Sequence, residues 1–375
     1  MKDKIWLSSP HMSGKEIHYI NEAFNSNWIA PLGPNVNGFE QDISDYLGEG
    51  SKVACLSSGT AAIHLGLIQL GIKDGDEVIC QSKTFSASAN PIMYQRAVPI
   101  FVDSERTTWN ISAEQLEIAI KDRLSKGKKP KAIVAVHLYG MPYNVDAIHS
   151  LSIKYDIPIL EDSAEALGSS YKGRKCGTFG DISVLSFNGN KIITTSGGGA
   201  LVSKIQEYRD KSIFLATQAR DNAVEYHHTH VGYNYRMSNI VAGIGRGQMT
   251  VIDDHVKKRR SIFELYKKSF QDIDEIGFLE EPDGYYSNRW LTCITLPSIG
   301  IREDLRLFLE KDNIESRPLW KPMHLQPIFM DMPKYINGVS DDLFNRGLCI
   351  PSGSNLTEND LERVISNVKK YFKAR

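Results

Sequence analysis

The chain has 375 residues, 41% of them hydrophobic and 24% charged, with a formal net charge of −1. That balance is ordinary for a globular enzyme, and the length exceeds what a single hydrophobic core usually serves, so two domains are expected. Near-neutrality excludes a general positive field for nucleic acid or an anionic membrane surface; the basic runs at 126–131 and 257–260 read as solvated faces.

Five scattered cysteines, Cys55, Cys80, Cys176, Cys293 and Cys349, never form a C-x-x-C pair. This argues for a reducing compartment and against both a disulfide framework and a thiolate zinc site. The start, Met1-Lys2-Asp3-Lys4-Ile5-Trp6, lacks the apolar core of a signal peptide. No run approaches the roughly 18 apolar residues of a membrane span, so a cytoplasmic protein is expected.

Runs rich in Val and Ile recur at 53–56, 77–80, 98–102, 132–137, 157–160, 182–186 and 200–202. Amphipathic stretches at 61–70, 112–124 and 146–155 lie between several of them. The alternation predicts βα units feeding a mostly parallel sheet flanked by helices, an α/β large domain over residues 1–249. Beyond it, a charged helix at 253–269, loops at 280–288, a strand at 291–296 and helices at 303–313 and 358–372 predict a smaller α+β domain over 250–375. Ligands of such sheets gather at the carboxyl ends of the strands.

Three motifs fall at those ends. In Leu56-Ser57-Ser58-Gly59-Thr60-Ala61-Ala62 a strand gives way to a helix. Free N–H groups and the Ser58 and Thr60 hydroxyls there suit a phosphate, although a simple N-cap role explains either hydroxyl equally well. Glu161-Asp162-Ser163-Ala164-Glu165 ends another strand. Asp162 there can pair with a protonated ring nitrogen, or it can cap a helix. In the stretch Ser186-Phe187-Asn188-Gly189-Asn190-Lys191 one lysine sits between a strand end and the run Gly197-Gly198-Gly199. A Schiff-base lysine needs such a fixed, partly dry setting, while most lysines are solvated surface groups. His227-His228-Thr229-His230 reads as a polar loop, because neighbouring positions point in different directions and no Cys or carboxylate stands at ligand spacing; no metal is expected.

With these motifs stand Asn27-Trp28-Ile29-Ala30-Pro31-Leu32-Gly33-Pro34, Thr217-Gln218-Ala219-Arg220, Gly232-Tyr233-Asn234-Tyr235-Arg236-Met237-Ser238-Asn239 and Arg317-Pro318-Leu319-Trp320-Lys321-Pro322-Met323-His324. Together they make the chain resemble, over essentially its whole length, the pyridoxal-phosphate-dependent aminotransferases of nucleotide-linked keto sugars. That family has the aspartate aminotransferase fold, type I. Within it the chain is most similar to enzymes making UDP-4-amino-4,6-dideoxy-N-acetylglucosamine on the way to bacillosamine.

The resemblance implies a glutamate-dependent transaminase acting at C4 of a UDP-linked 4-keto-6-deoxy-N-acetylhexosamine, and a homodimer with shared active sites. It implies that Lys191 joins the cofactor aldehyde and then shuttles a proton. Asp162 would hold the pyridine nitrogen and Phe85 would stack on the ring. Gly59, Thr60 and Ser186, with Ser58 and Asn188 close by, would contact the phosphate, and Asn234 would reach it from the partner subunit. Glu165 would stand near the phenolic oxygen, where many relatives carry Gln or His. Asn27, Ile29, Trp320, His324 and the partner-borne Arg236 would contact the sugar nucleotide. For Arg236 a structural ion pair, and for Trp320 a core position, are the competing readings. Other readings of the whole chain are an aminotransferase for another nucleotide-linked keto sugar, a sugar dehydrase, whose kind lacks the lysine, and a non-catalytic sugar-nucleotide-binding regulator.

Overall fold

In the computed structural model, which describes residues 3–375, the seven Val- and Ile-rich runs all become strands of one sheet. They are β1 (Lys52–Leu56), β2 (Glu77–Gln81), β3 (Val98–Val102), β4 (Ala132–Val136), β5 (Ile159–Asp162), β6 (Ile182–Ser186) and β7 (Gly199–Ser203). Their spatial order is β1-β7-β6-β5-β4-β2-β3, and a short eighth strand, Lys334–Tyr335, pairs with β3. Pairing is parallel from β6 to that edge. Only β7 runs antiparallel to its neighbours, β1 and β6.

The exception at β7 has a local cause. A parallel return needs a long crossover, normally a helix, and residues 187–198 form none. They fold back instead: the Phe187 N–H donates to the Gly198 carbonyl, and the Thr195 N–H donates to the Phe187 carbonyl, both at 2.9 Å. The chain therefore re-enters the sheet beside the strand it has just left, and the loop carrying Lys191 stays at the sheet edge.

β5 begins two residues later than the sequence pattern suggests and runs through the acidic pair. The Ile157 N–H still closes the preceding helix on Ser152, and Pro158 has no N–H to give a ladder. Side chains along β5 then alternate between two layers. Leu160 packs with Ile182 and Val184 of β6 beneath the helix Gly59–Gln69, while Ile159 packs with Ile133 beneath the helices Ala113–Ser125 and Val145–Tyr155. Gly59–Gln69 is apolar almost all round, as befits a buried helix. It sits low on the sheet because Gly66 carries no Cβ, which would lie 2.9 Å from Leu160 Cδ1.

Beyond residue 250 an antiparallel sheet of Gly277–Phe278, Thr292–Thr295, Gly347–Ile350 and Arg317–Pro318 is covered by the helices Ile252–Ser269, Ile299–Lys311 and Glu358–Lys373. The helix expected at 303–313 starts earlier because the Ser298 side chain caps it, accepting the Ile301 N–H at 3.3 Å. Two pairings link distant parts of the chain: Ile5 bridges to Ile314, and Lys334–Tyr335 joins the large sheet. Among the described residues no helix is long and apolar enough to cross a membrane.

Glu161, fully buried on β5, ties the centre of the large sheet together. Its carboxylate accepts from His137 Nε2, the Ser163 and Ser183 hydroxyls, and the N–H groups of Gly177, Phe179 and Gly180, all within 2.9 Å. Burial pushes its pKa up, but His137, Ser183 and the backbone donors outweigh burial and hold it down at about 2. A depressed carboxylate stabilises the fold above the ordinary carboxylate range, and that contribution is lost as pH falls toward the folded value. Glu161→Gln is expected to lose about 3 kcal/mol of unfolding free energy at neutral pH. In denaturant titrations the gap from wild type should narrow as pH falls below about 4; a gap independent of pH would contradict this.

Candidate active site

A cavity of about 790 Å³ opens at the carboxyl ends of the large-sheet strands and is also lined by residues beyond 250. Ser58, Gly59 and Thr60 reach it beyond β1, Phe85 beyond β2, Asp162 and Glu165 from the end of β5, and Ser186, Asn188 and Lys191 from the end of β6. Trp290 and Trp320 also line it.

The turn after β1 is set by close backbone approach. A Cβ on Gly199 would lie 2.3 Å from the Gly59 nitrogen and 2.4 Å from the Ser58 carbonyl carbon, so the start of β7 presses directly on the start of the helix. Gly59 in turn leaves its Cβ position 3.1 Å from Ser186 Cβ. Ser58 is an N-cap, its Oγ accepting the Ala61 N–H at 3.0 Å, and the same residue lines the cavity. The two readings of this motif therefore coexist: the cap fixes a helix start whose first N–H groups lack intrahelical acceptors and suit an anion.

Period-two alternation sends Asp162 into the cavity layer while Glu161 points into the opposite one. Ser88 Oγ donates to Asp162 Oδ2 at 2.6 Å and the Ala164 N–H donates to Oδ1 at 3.1 Å. Thr84 Oγ1 lies 2.7 Å from Ser88 Oγ and extends the chain of hydroxyls. The carboxylate is fixed in orientation, with its cavity side open to a cationic N–H.

Lys191 is held by its loop. Its own N–H donates to the Asn188 carbonyl at 3.0 Å, and the neighbouring Asn190 carbonyl accepts from Trp290 Nε1 at 2.6 Å and Ser8 Oγ at 2.9 Å. The amine lies 4.3 Å from the centre of the Trp290 ring and 3.4 Å from Glu165 Oε1, with the side chain only 11% exposed. Glu165 Oε2 accepts the Tyr139 N–H at 2.6 Å. Burial raises the Glu165 carboxyl to about 7, against the opposing pull of Lys191 and that N–H. Phe85 and Trp320, 5.5 Å apart and tilted by 48°, make an aromatic wall that continues to Tyr139, whose hydroxyl accepts the Trp320 N–H at 2.8 Å.

The structure thus brings Ser58, Gly59, Thr60, Phe85, Asp162, Glu165, Ser186, Asn188, Lys191 and Trp320 to one cavity. Five expected residues lie outside its lining. Arg236 is buried against Glu40 and also donates to the Cys55 carbonyl at 2.9 Å, the ion-pair alternative raised from its sequence. His324 is buried too: its Nδ1 is 2.6 Å from Ser82 Oγ and its Nε2 is 3.0 Å from Asp341 Oδ1, so within this chain it ties the segments at 324 and 341 to the strand end after β2. Asn27, Ile29 and Asn234 are exposed on the surface of the single chain. His227, His228 and His230 bond to Asp221, the Gln218 carbonyl and Thr229 within their own loop. Sequence reasoning missed Ser88, Tyr139 and Trp290. Ser88 stands three residues after Phe85 in a run of small residues and was findable; Trp290 carries no local signal, because only the tertiary fold brings it to Lys191.

An anion turn, a fixed carboxylate and a buried amine around a slot with an aromatic wall suit a flat, phosphorylated pyridine aldehyde. The amine can condense with the aldehyde, Asp162 can face the ring nitrogen, and the glycines at 59 and 199 leave the phosphate corner free of side chains.

Residues 10–369 match the DegT/DnrJ/EryC1/StrS aminotransferase family. The chain is 52% identical to EpsN of Bacillus subtilis, which bears the name of a pyridoxal phosphate-dependent aminotransferase, over 99% of this chain and 97% of that one. It is 36% identical to the GDP-perosamine synthase of Escherichia coli O157:H7, with 97% of each chain covered. Among solved structures, the Streptococcus pneumoniae protein Spr1654, named a sugar aminotransferase and determined in a PLP form, superposes with a TM-score of 0.90 at 26% identity, covering 99% of each chain.

Gly199→Ala is expected to cost about 2 kcal/mol or more of stability by overpacking and to weaken cofactor retention, because the Ser58–Gly59 peptide must move to admit the methyl group. Denaturant titration and equilibrium dialysis of the cofactor check both; a variant matching wild type in both would contradict the close-approach account.

Proposed function

The chain belongs to the DegT/DnrJ/EryC1/StrS aminotransferase family, and from that premise we propose that it moves the amino group of L-glutamate to C4 of a UDP-linked 4-keto-6-deoxy-N-acetylhexosamine. The coarser description is established by kinship: a pyridoxal-phosphate-dependent sugar aminotransferase of fold type I. The product in this reading is UDP-4-amino-4,6-dideoxy-N-acetylglucosamine, a precursor of bacillosamine-type glycans.

The observation that carries the catalytic part is the Lys191 amine, nearly buried and facing the same cavity as Asp162 and the Ser58–Thr60 turn. Bound pyridoxal phosphate supplies an aldehyde for amine exchange and a cationic ring that withdraws electrons from the adjacent carbon. Lys191 Nζ is the base that removes the proton from Cα of glutamate and the acid that delivers one to C4 of the sugar. Asp162, oriented by Ser88 and Ala164, keeps the ring nitrogen protonated. Ser58, Gly59, Thr60 and Ser186 would hold the phosphate, with Asn188 beside them, and Phe85 would cover the ring face. Trp320 supplies an apolar wall for the sugar.

Asn27, Ile29, Asn234 and Arg236 fit this reading as residues of a homodimer whose subunits complete each other's sites. Exposed apolar side chains at Phe24, Trp28, Ile29 and Leu32 support such an interface. For Arg236 the reading requires its pairing with Glu40 to leave donors free. The kinship with GDP-perosamine synthases favours a second reading, a GDP-linked keto sugar.

The protein reconstituted with cofactor should show a visible band that bleaches with L-glutamate and returns with the keto sugar; a band indifferent to glutamate would defeat the transaminase reading. A panel of UDP- and GDP-linked keto sugars, with products identified by NMR, decides the nucleotide. Lys191→Ala should lower turnover by about 10³-fold or more while the circular dichroism spectrum stays that of wild type, and retained turnover would contradict the role of the amine.

A further inference from the structure

Glu165 has a feature that a fixed polar group at its position would lack. It is a carboxyl, fully inside the protein, in contact with the one amine on which the proposed chemistry turns. Its Oε2 is held by the N–H of Tyr139, a residue in the left-handed conformation with φ 53°. The other oxygen, Oε1, is left facing Lys191 Nζ at 3.4 Å. An ammonium cannot attack a carbonyl, and the carboxylate paired with this one is Glu165.

We propose that Glu165 is the proton acceptor for Lys191, taking a proton from the ammonium to Oε1 so that the amine is neutral when a carbonyl arrives, and returning it when the amine is released. In this exchange one N–H bond of Lys191 breaks and one O–H bond of Glu165 forms. An ammonium–carboxylate pair becomes an amine–carboxylic acid pair, with no change in net charge. That neutrality matters in a buried site, where moving a charge out to solvent is costly. The carboxyl is suited to the exchange because burial brings its pKa to about 7, nearer to that of an amine than an exposed glutamate comes. Asp162 from β5 pushes in the same direction, Lys191 from the loop after β6 opposes it, and Tyr139 and Cys293, both buried, are the other titratable groups that interact with it.

The inference rests on Lys191 being the reacting amine of the proposed transaminase, but its test needs neither substrate nor cofactor. Apo-protein carrying [ε-¹³C]lysine is titrated by NMR, with the Lys191 signal assigned by its loss in Lys191→Arg. In the wild type the signal should show a first step near neutrality, as Glu165 ionises beside it. Glu165→Gln should abolish that step. Identical curves for wild type and Glu165→Gln would overturn the proposal. If Glu165→Gln does not fold, Glu165→Asp is read in its place: a displaced first step supports the pairing and an unmoved one overturns it. The bleaching by glutamate is measured separately, so loss of the transaminase reading and loss of the proton partnership give different results.

Discussion

Two adjacent carboxylates on one strand divide the labour of this molecule, and the division follows from the pleat of β5. Because successive side chains leave a strand on opposite faces, Glu161 enters one layer and Asp162 the other. The first is saturated by donors from His137, Ser163, Ser183 and the backbone at 177–180, and binds β5 to β6 and to the turn between them. The second meets only Ser88 and Ala164, and so keeps a face for the cavity. A slip of one residue in β5 would exchange the two environments, leaving the sheet without its central anchor and the cavity without its oriented anion.

The rest of the cavity depends on chain reversal at its edge. Residues 187–198 return without a crossover helix, so β7 lies antiparallel, Gly199 meets Gly59, and Lys191 is carried on a loop pinned at both ends to the sheet. The same loop is fastened by the Trp290 indole and, from the N-terminal segment, by Ser8. The lysine is therefore positioned by three parts of the chain far apart in sequence, and its amine contacts both an aromatic ring and a carboxyl.

Much of this was legible in the residues because it rests on local rules. Periodicity located all seven principal strands, and the strand-to-helix motif at Ser58-Gly59-Thr60, the acid-ended strand and the lysine before the glycine run each mark one cavity wall. What was not legible comes from tertiary placement. Nothing near Trp290 announces that its ring will lie over Lys191, and nothing in the sequence reveals that Tyr139 turns its N–H toward Glu165. The antiparallel course of β7 could have been read from the missing helix between 187 and 198. Arg236 shows the converse: a guanidinium is suited to a diphosphate, yet Glu40, distant in sequence, engages it within the chain.

The central claim is that one amine, Lys191, holds the cofactor. Borohydride reduction of the pyridoxal-phosphate-loaded protein, followed by proteolysis and mass mapping, tests it most directly. A reduced pyridoxyl group is expected on the peptide containing Lys191 and on no other. The same tag on Lys83 or a surface lysine, or its absence from every peptide, would contradict it.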